Sequence, residues 1–234
     1  MPLKGLRVGF RSEMSLLEDD ILLLGRQVER MVGQAAAAIG RSTPGIDEIL
    51  RADDDQVDQR VLVIEARLHE ILTLQGPVAE DLRLLLSLQK VLSSIERIGD
   101  GALNVARLVG PSDAAMASPD LTAQLQELGI RAERVVRTSL DQFSHRRTTT
   151  DASRTVEEQI NLLHQGLTSR LIDHATTSRG ATEWSIAMVL VSRQLERIGE
   201  HLDVGGVAGI GLIGKRSTRI GERHARALAI RSPR

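Results

Sequence analysis

The chain has 234 residues, 41% of them hydrophobic but only 1% aromatic, so its core must come from Leu, Ile, Val, Met and Ala, which suits packed helices better than sheets. It contains no Cys, which excludes disulfides and thiolate metal sites and fits a reducing compartment. A formal net charge of −1 argues against a nucleic-acid partner. There is no signal-like segment and no uncharged apolar run near the ~18 residues of a membrane span, so a soluble, cytoplasmic protein is expected.

From Met14 the apolar residues Leu17, Ile21, Leu24, Val28, Met31 and Ala35 follow at alternating steps of three and four, the stripe of a bundle helix. "RSTPG" (Arg41–Gly45) interrupts it. A second helix is predicted from about Ile46 to Gln75, striped by Val57, Val61, Ile64, Leu68 and Ile71. In "QGPV", Gly76 reads as a stop and Pro77 as the first turn of a third helix, which carries Val78, Leu82, Leu85 and Leu92 and ends near Gly110. The loop-like "GPSDAAMASPD" follows. Ser118–Pro119 then reads as an N-cap and first helical residue, opening a fourth helix with Leu121, Leu125, Leu128, Ala132 and Val135. "TTTD" separates it from a fifth helix (Val156, Ile160, Leu163, Leu167), and "TTSRG" separates that from a sixth (Trp184, Met188, Val191, Leu195, Ile198, Leu202). The expectation is an all-α chain of two tandem three-helix bundles: residues 1–112 as the first repeat, 113–203 as the second, and 204–234 as an irregular tail.

The third and sixth helices share a word. "IERIGDGALN" at Ile95–Asn104 returns as "LERIGEHLDV" at Leu195–Val204. In the first copy Glu96 and Asp100 lie four apart, on one helical face, where like charges cost a few tenths of a kcal/mol. Gly99 between them costs about 1 kcal/mol relative to Ala. Asp54 and Asp58 form a second i,i+4 pair on the second helix, level with the first if the two helices run antiparallel. The ordinary explanation of such pairs is a solvated face or pairing with Arg60, Arg83 or Arg97. The recurrence of the word and the level pairing turn the reading toward a hard cation held by Asp54, Asp58, Glu96 and Asp100. The second copy offers Glu157 with Asn161, and Glu196 with Glu200, one carboxylate fewer and a weaker site. His201 points about 100° away from Glu200 around a helix. Di-iron bundle enzymes place His three residues after Glu, where Gly99 and Gly199 stand here. With no nucleophile–base pair or phosphate loop either, no catalytic residue and no organic cofactor site is assigned.

The stretches "FRSEMSLLEDDILLLGRQVE" (Phe10–Glu29), "DDQVDQ" (Asp54–Gln59), "LTLQGPVAEDLR" (Leu72–Arg83), "IERIGDGALNVA" (Ile95–Ala106) and "RQLERIGEH" (Arg193–His201) resemble the PhoU family of phosphate-uptake and phosphate-starvation regulators. The resemblance implies two three-helix bundles and a metal (Mg, Mn, Fe or Zn) on the matching carboxylates, with Asn161, Glu200 and Val204 as departures in the second copy. It implies a non-enzymatic, cytoplasmic negative regulator. Its partners would be the ATP-binding subunit of a phosphate ABC transporter, a phosphate-sensing histidine kinase and a second copy of itself. It would meet the membrane only through partners. The alternative is a carboxylate-bridged, metal-dependent helical-bundle enzyme.

From Val204 onward seven basic residues stand against Glu222 alone, a net of +6 that leaves −7 on residues 1–203. The five glycines of "GGVAGIGLIG" would cost a helix roughly 5 kcal/mol, so the sixth helix is not expected to continue there. Two origins stand open for this tail: a basic arm toward an acidic partner or anionic membrane face, or a shift of reading frame.

Overall fold

The structure, a computed structural model, describes residues 3–41, 43–109, 116–145 and 151–201, without side chains at 3–8, 151–155, 157 and 201. Six helices account for nearly all of it: α1 (Leu3–Ala38), α2 (Ile46–Gln75), α3 (Glu80–Val109), α4 (Pro119–Ser144), α5 (Asp151–Ala175) and α6 (Arg179–His201). Among the described residues there is no strand. The all-α expectation holds. The division at 112/113 and the tail from 204 lie outside the described residues, as does Leu202.

The stripes read from the sequence are the core. Met14, Leu17, Ile21, Leu24, Val28, Met31 and Ala35 of α1 are all buried, as are Val57 to Ile71 of α2 and Trp184 to Ile198 of α6. Gly76 ends α2 in the left-handed region at φ 51°, a conformation in which a side chain would be strained. Three details differ from expectation. The first helix starts at Leu3, well before its apolar stripe. Pro77 is not in the first turn of α3. Ala79 takes φ 51° and postpones the helix to Glu80. For the same reason Val78 lies outside the helix, 72% exposed, while Leu82, in its first turn, is 37% exposed, so neither is core.

Helices α1, α2 and α3 pack on one another, as do α4, α5 and α6; α1 lies on α4 and α3 on α6, joining the two triplets through one continuous core. The α1/α4 seam is antiparallel. Arg26 pairs with Asp141, Glu29 with Arg137 at 2.6 Å, and the Ile39 carbonyl accepts from Gln126 Nε2 at 2.8 Å, so numbers rise on one helix as they fall on the other. Glycines let these helices close up. A Cβ at Gly129 would lie 2.5 Å from Ala36 Cβ, and one at Gly25 would collide with Leu140. These are the same contact seen twice, since positions 25 and 36 correspond to 129 and 140 at an offset of 104. At the α3/α6 seam Gly101 faces Ile198, and a Cβ there would come within 3.0 Å of it. The α1/α4 seam thus has an approximate two-fold relation between the repeats.

Candidate cation site

Residues Asp54 and Asp58 come from the first half of α2, and Glu96 and Asp100 from the second half of α3. Asp54 is buried and tucks against Gly99, where a Cβ would lie 3.3 Å from Asp54 Oδ1, with Val28 and Val57 close by. The glycine that weakens the helix is the place where the carboxylate of the neighbouring helix sits. Asp58 and Asp100 are exposed and Glu96 is half-buried.

The four carboxylates sense one another. Burial, then the charges of Asp100 and Asp58, push the Asp54 carboxyl up from 3.8 to about 6. Burial, with Asp100 and Asp58 adding to it, raises Glu96. Burial and Asp58 raise Asp100, against the opposing pull of Arg107. None of the four makes an ion pair among the described residues; the charge of Arg97 works against the rise at Glu96 without pairing with it, and Arg60 and Arg83 make no ion pair with them. Nor is any group of three or more His, Cys, Asp or Glu there arranged to hold a metal ion. They are facing neighbours rather than a formed coordination sphere. The donor set still suits a hard cation: all oxygen, one member buried and without an ion pair among the described residues, and a glycine leaving it room.

The second copy is built differently. Glu196 is buried and paired with Arg193, three residues before it, where the first copy has Ser93. Asn161 has a buried Oδ1 without a hydrogen-bond partner among the described residues, and Gly199 faces Ile160 there. His164 Nδ1 and Ser192 Oγ lie 2.7 Å apart beside them. Glu200 is exposed, and the side chain of Glu157 lies outside the described residues. The Arg three residues before Glu196 was visible in the sequence and marks the difference between the copies. Sequence reading also passed over Glu29, a buried acid inside the α1 stripe that accepts from Arg26 (2.8 Å) and Arg137 (2.6 Å).

The architecture is that of a doubled three-helix bundle with an acidic face at one α2/α3 junction. Comparison with known proteins agrees. The PhoU domain family model matches residues 21–109. A "phosphate-specific transport system accessory protein PhoU homolog" from Xylella fastidiosa (strain Temecula1) is 30% identical over 190 residues, which is 76% of this chain and 78% of that one. The Pseudomonas putida protein of the same description is 27% identical over 82% of this chain and 75% of its own. The crystal structure of PhoU from Pseudomonas aeruginosa superposes with a TM-score of 0.79 at 25% identity, covering 89% of this chain and 99% of that one. The PhoU crystal structure from Streptococcus pneumoniae shares the fold at a TM-score of 0.76 and 20% identity. The chain belongs to the PhoU family.

Proposed function

We propose that this protein is a cytoplasmic, non-enzymatic accessory of phosphate transport that represses phosphate uptake and starvation signalling when phosphate is plentiful. In this reading it is an adaptor. Its long helical faces dock on the ATP-binding subunit of a phosphate ABC transporter and on a phosphate-sensing histidine kinase, and it forms a homodimer. The observation that carries the reading is the similarity to proteins described as phosphate transport accessories, which extends over about four-fifths of the chain and spans both repeats. No helix among the described residues is long and apolar enough to cross a membrane, which suits a partner-mediated membrane role.

In the same reading a hard cation sits at Asp54, Asp58, Glu96 and Asp100 and offsets their mutual repulsion. Bound there, it would tie α2 to α3. The weaker second site would draw on Glu157, Glu196 and Glu200. The alternative, a carboxylate-bridged metal enzyme, is disfavoured by the missing Glu-x-x-His and by the engagement of Glu196 with Arg193. Oxygen-driven turnover of an iron-loaded sample with a reductant would establish that alternative. The regulatory reading is tested by deleting the gene and following phosphate-responsive transcription in phosphate-rich medium. Derepression is expected; unchanged output refutes it.

A further inference from the structure

We infer that the cavity between α3 and α6 is a binding site for a small tetrahedral oxyanion of the inorganic phosphate class. It is an open pocket of about 140 Å³ at the seam where the two copies of the repeated word meet, with Arg97, Asp100 and Arg197 exposed at its mouth. At ~30 Å³ of liquid volume per water that is room for about five waters, so an oxyanion of five heavy atoms fits. Antiparallel packing of Gly101 on Ile198 places the Arg of each word, Arg97 and Arg197, on the same cavity, with Asn104 from α3 and Gln194 from α6. The lining therefore includes two arginines, Asn104 and Gln194, residue types whose guanidinium and amide groups can recognise a phosphate-like ion.

Arg26, Arg137 and Arg193 are engaged by carboxylates, whereas neither Arg97 nor Arg197 has an ion pair among the described residues. The Asn104 carbonyl oxygen lies 3.5 Å from Arg107 Nη1, which leaves its amide NH₂ to donate elsewhere. Asp100 is the acidic member of the lining. It opposes an anion, so the same carboxylate that would favour a cation on the α2 side weakens an anion on the α6 side. A cation at the acidic cluster and an oxyanion in this cavity would therefore assist one another, each by the same factor.

The choice of phosphate as the first ion to test rests on the proposed regulatory role; the cavity and its arginines do not. The test is calorimetric titration of the full chain with inorganic phosphate at low ionic strength, where exposed charges are least screened. Saturable one-to-one binding is expected, weakened about tenfold or more in Arg97→Ala and in Arg197→Ala. It should tighten in Asp100→Asn and be unchanged in Arg60→Ala, on the far α1/α2 groove. Since both arginines are exposed and neither has an ion pair among the described residues, thermal unfolding of their variants should match the parent, which separates lost binding from lost folding. No saturable heat with phosphate, or arginine variants that bind as the parent does, overturns the inference. So does a phosphoserine peptide that saturates the cavity where the free ion does not. The deletion experiment reads transcription without reference to this cavity, so either result can fail alone.

Discussion

Glu29 and Asp54 are equally buried carboxylates that answer pH in opposite directions. Burial pushes Glu29 up, but hydrogen bonds from Arg26 and Arg137 outweigh it and hold its carboxyl below the usual range. Its contribution is present above the unfolded pKa and lost as pH falls. Asp54 has burial and two like charges, and its carboxyl is raised to about 6. Its neutral form is the one the fold tolerates. The penalty is absent below the ordinary 3.8 and complete above about 6, so stability falls as pH rises through that window. A carboxyl so displaced costs the folded state up to about 3 kcal/mol when ionised. Asp54→Asn is therefore expected to stabilise the metal-free protein by about 1–3 kcal/mol at pH 7.5 and to do almost nothing at pH 3, by urea denaturation at both. Equal effects at both would show that charge is not the cause. Asp100→Asn is expected to lower the metal recovered by elemental analysis, because hard cations depend on ligand charge; Glu200→Gln should matter less.

Helix contacts at the seams rest on residues that helices ordinarily avoid. Gly129 on α4 meets the Cβ and Cα of Ala36, atoms fixed to the α1 backbone that cannot rotate away. Gly129→Ala should forfeit about 1–3 kcal/mol through overpacking, although Ala is the better helix former by about 1 kcal/mol. Gly166, inside α5, has nothing within 4 Å of a built Cβ. There the propensity term stands alone, and Gly166→Ala should gain about 0.5–1 kcal/mol. Thermal denaturation of the two variants should move in opposite directions; a common direction would mean that the α1/α4 seam relaxes. Beside it Glu29→Gln should cost about 1–3 kcal/mol at neutral pH, because a charge-assisted acceptor for two guanidiniums is lost.

At the scale of the molecule, one hydrophobic core runs from Met14 on α1 to Ile198 on α6 without a gap between the triplets. Each triplet uses a face of its first and third helix on the other. Residues 1–112 and 113–203 are proposed as repeats in sequence and one unit in stability. Calorimetry should show a single transition whose van't Hoff and measured enthalpies agree. Two resolved transitions would contradict this. The tail from Val204 remains open to peptide mass mapping of the natural protein, where a tryptic fragment running through Lys215 as written excludes a frameshift.

The six helices and most of their buried stripes were legible in the sequence because burial on a helix repeats every three to four residues, and the chain keeps that period in each helix apart from Val78 and Leu82. The repeated "ERIG" word announced the internal symmetry for the same local reason. The sequence could also pair Asp54 with Asp100, because antiparallel neighbours of equal length return to the same height. It could not show that Asp54 sits on Gly99, that Arg193 takes up Glu196, or that Arg97 and Arg197 share one cavity. Those depend on which faces of α1, α3, α4 and α6 meet at the two seams. That choice is made by glycines and small side chains whose meaning appears only when two helices are brought together.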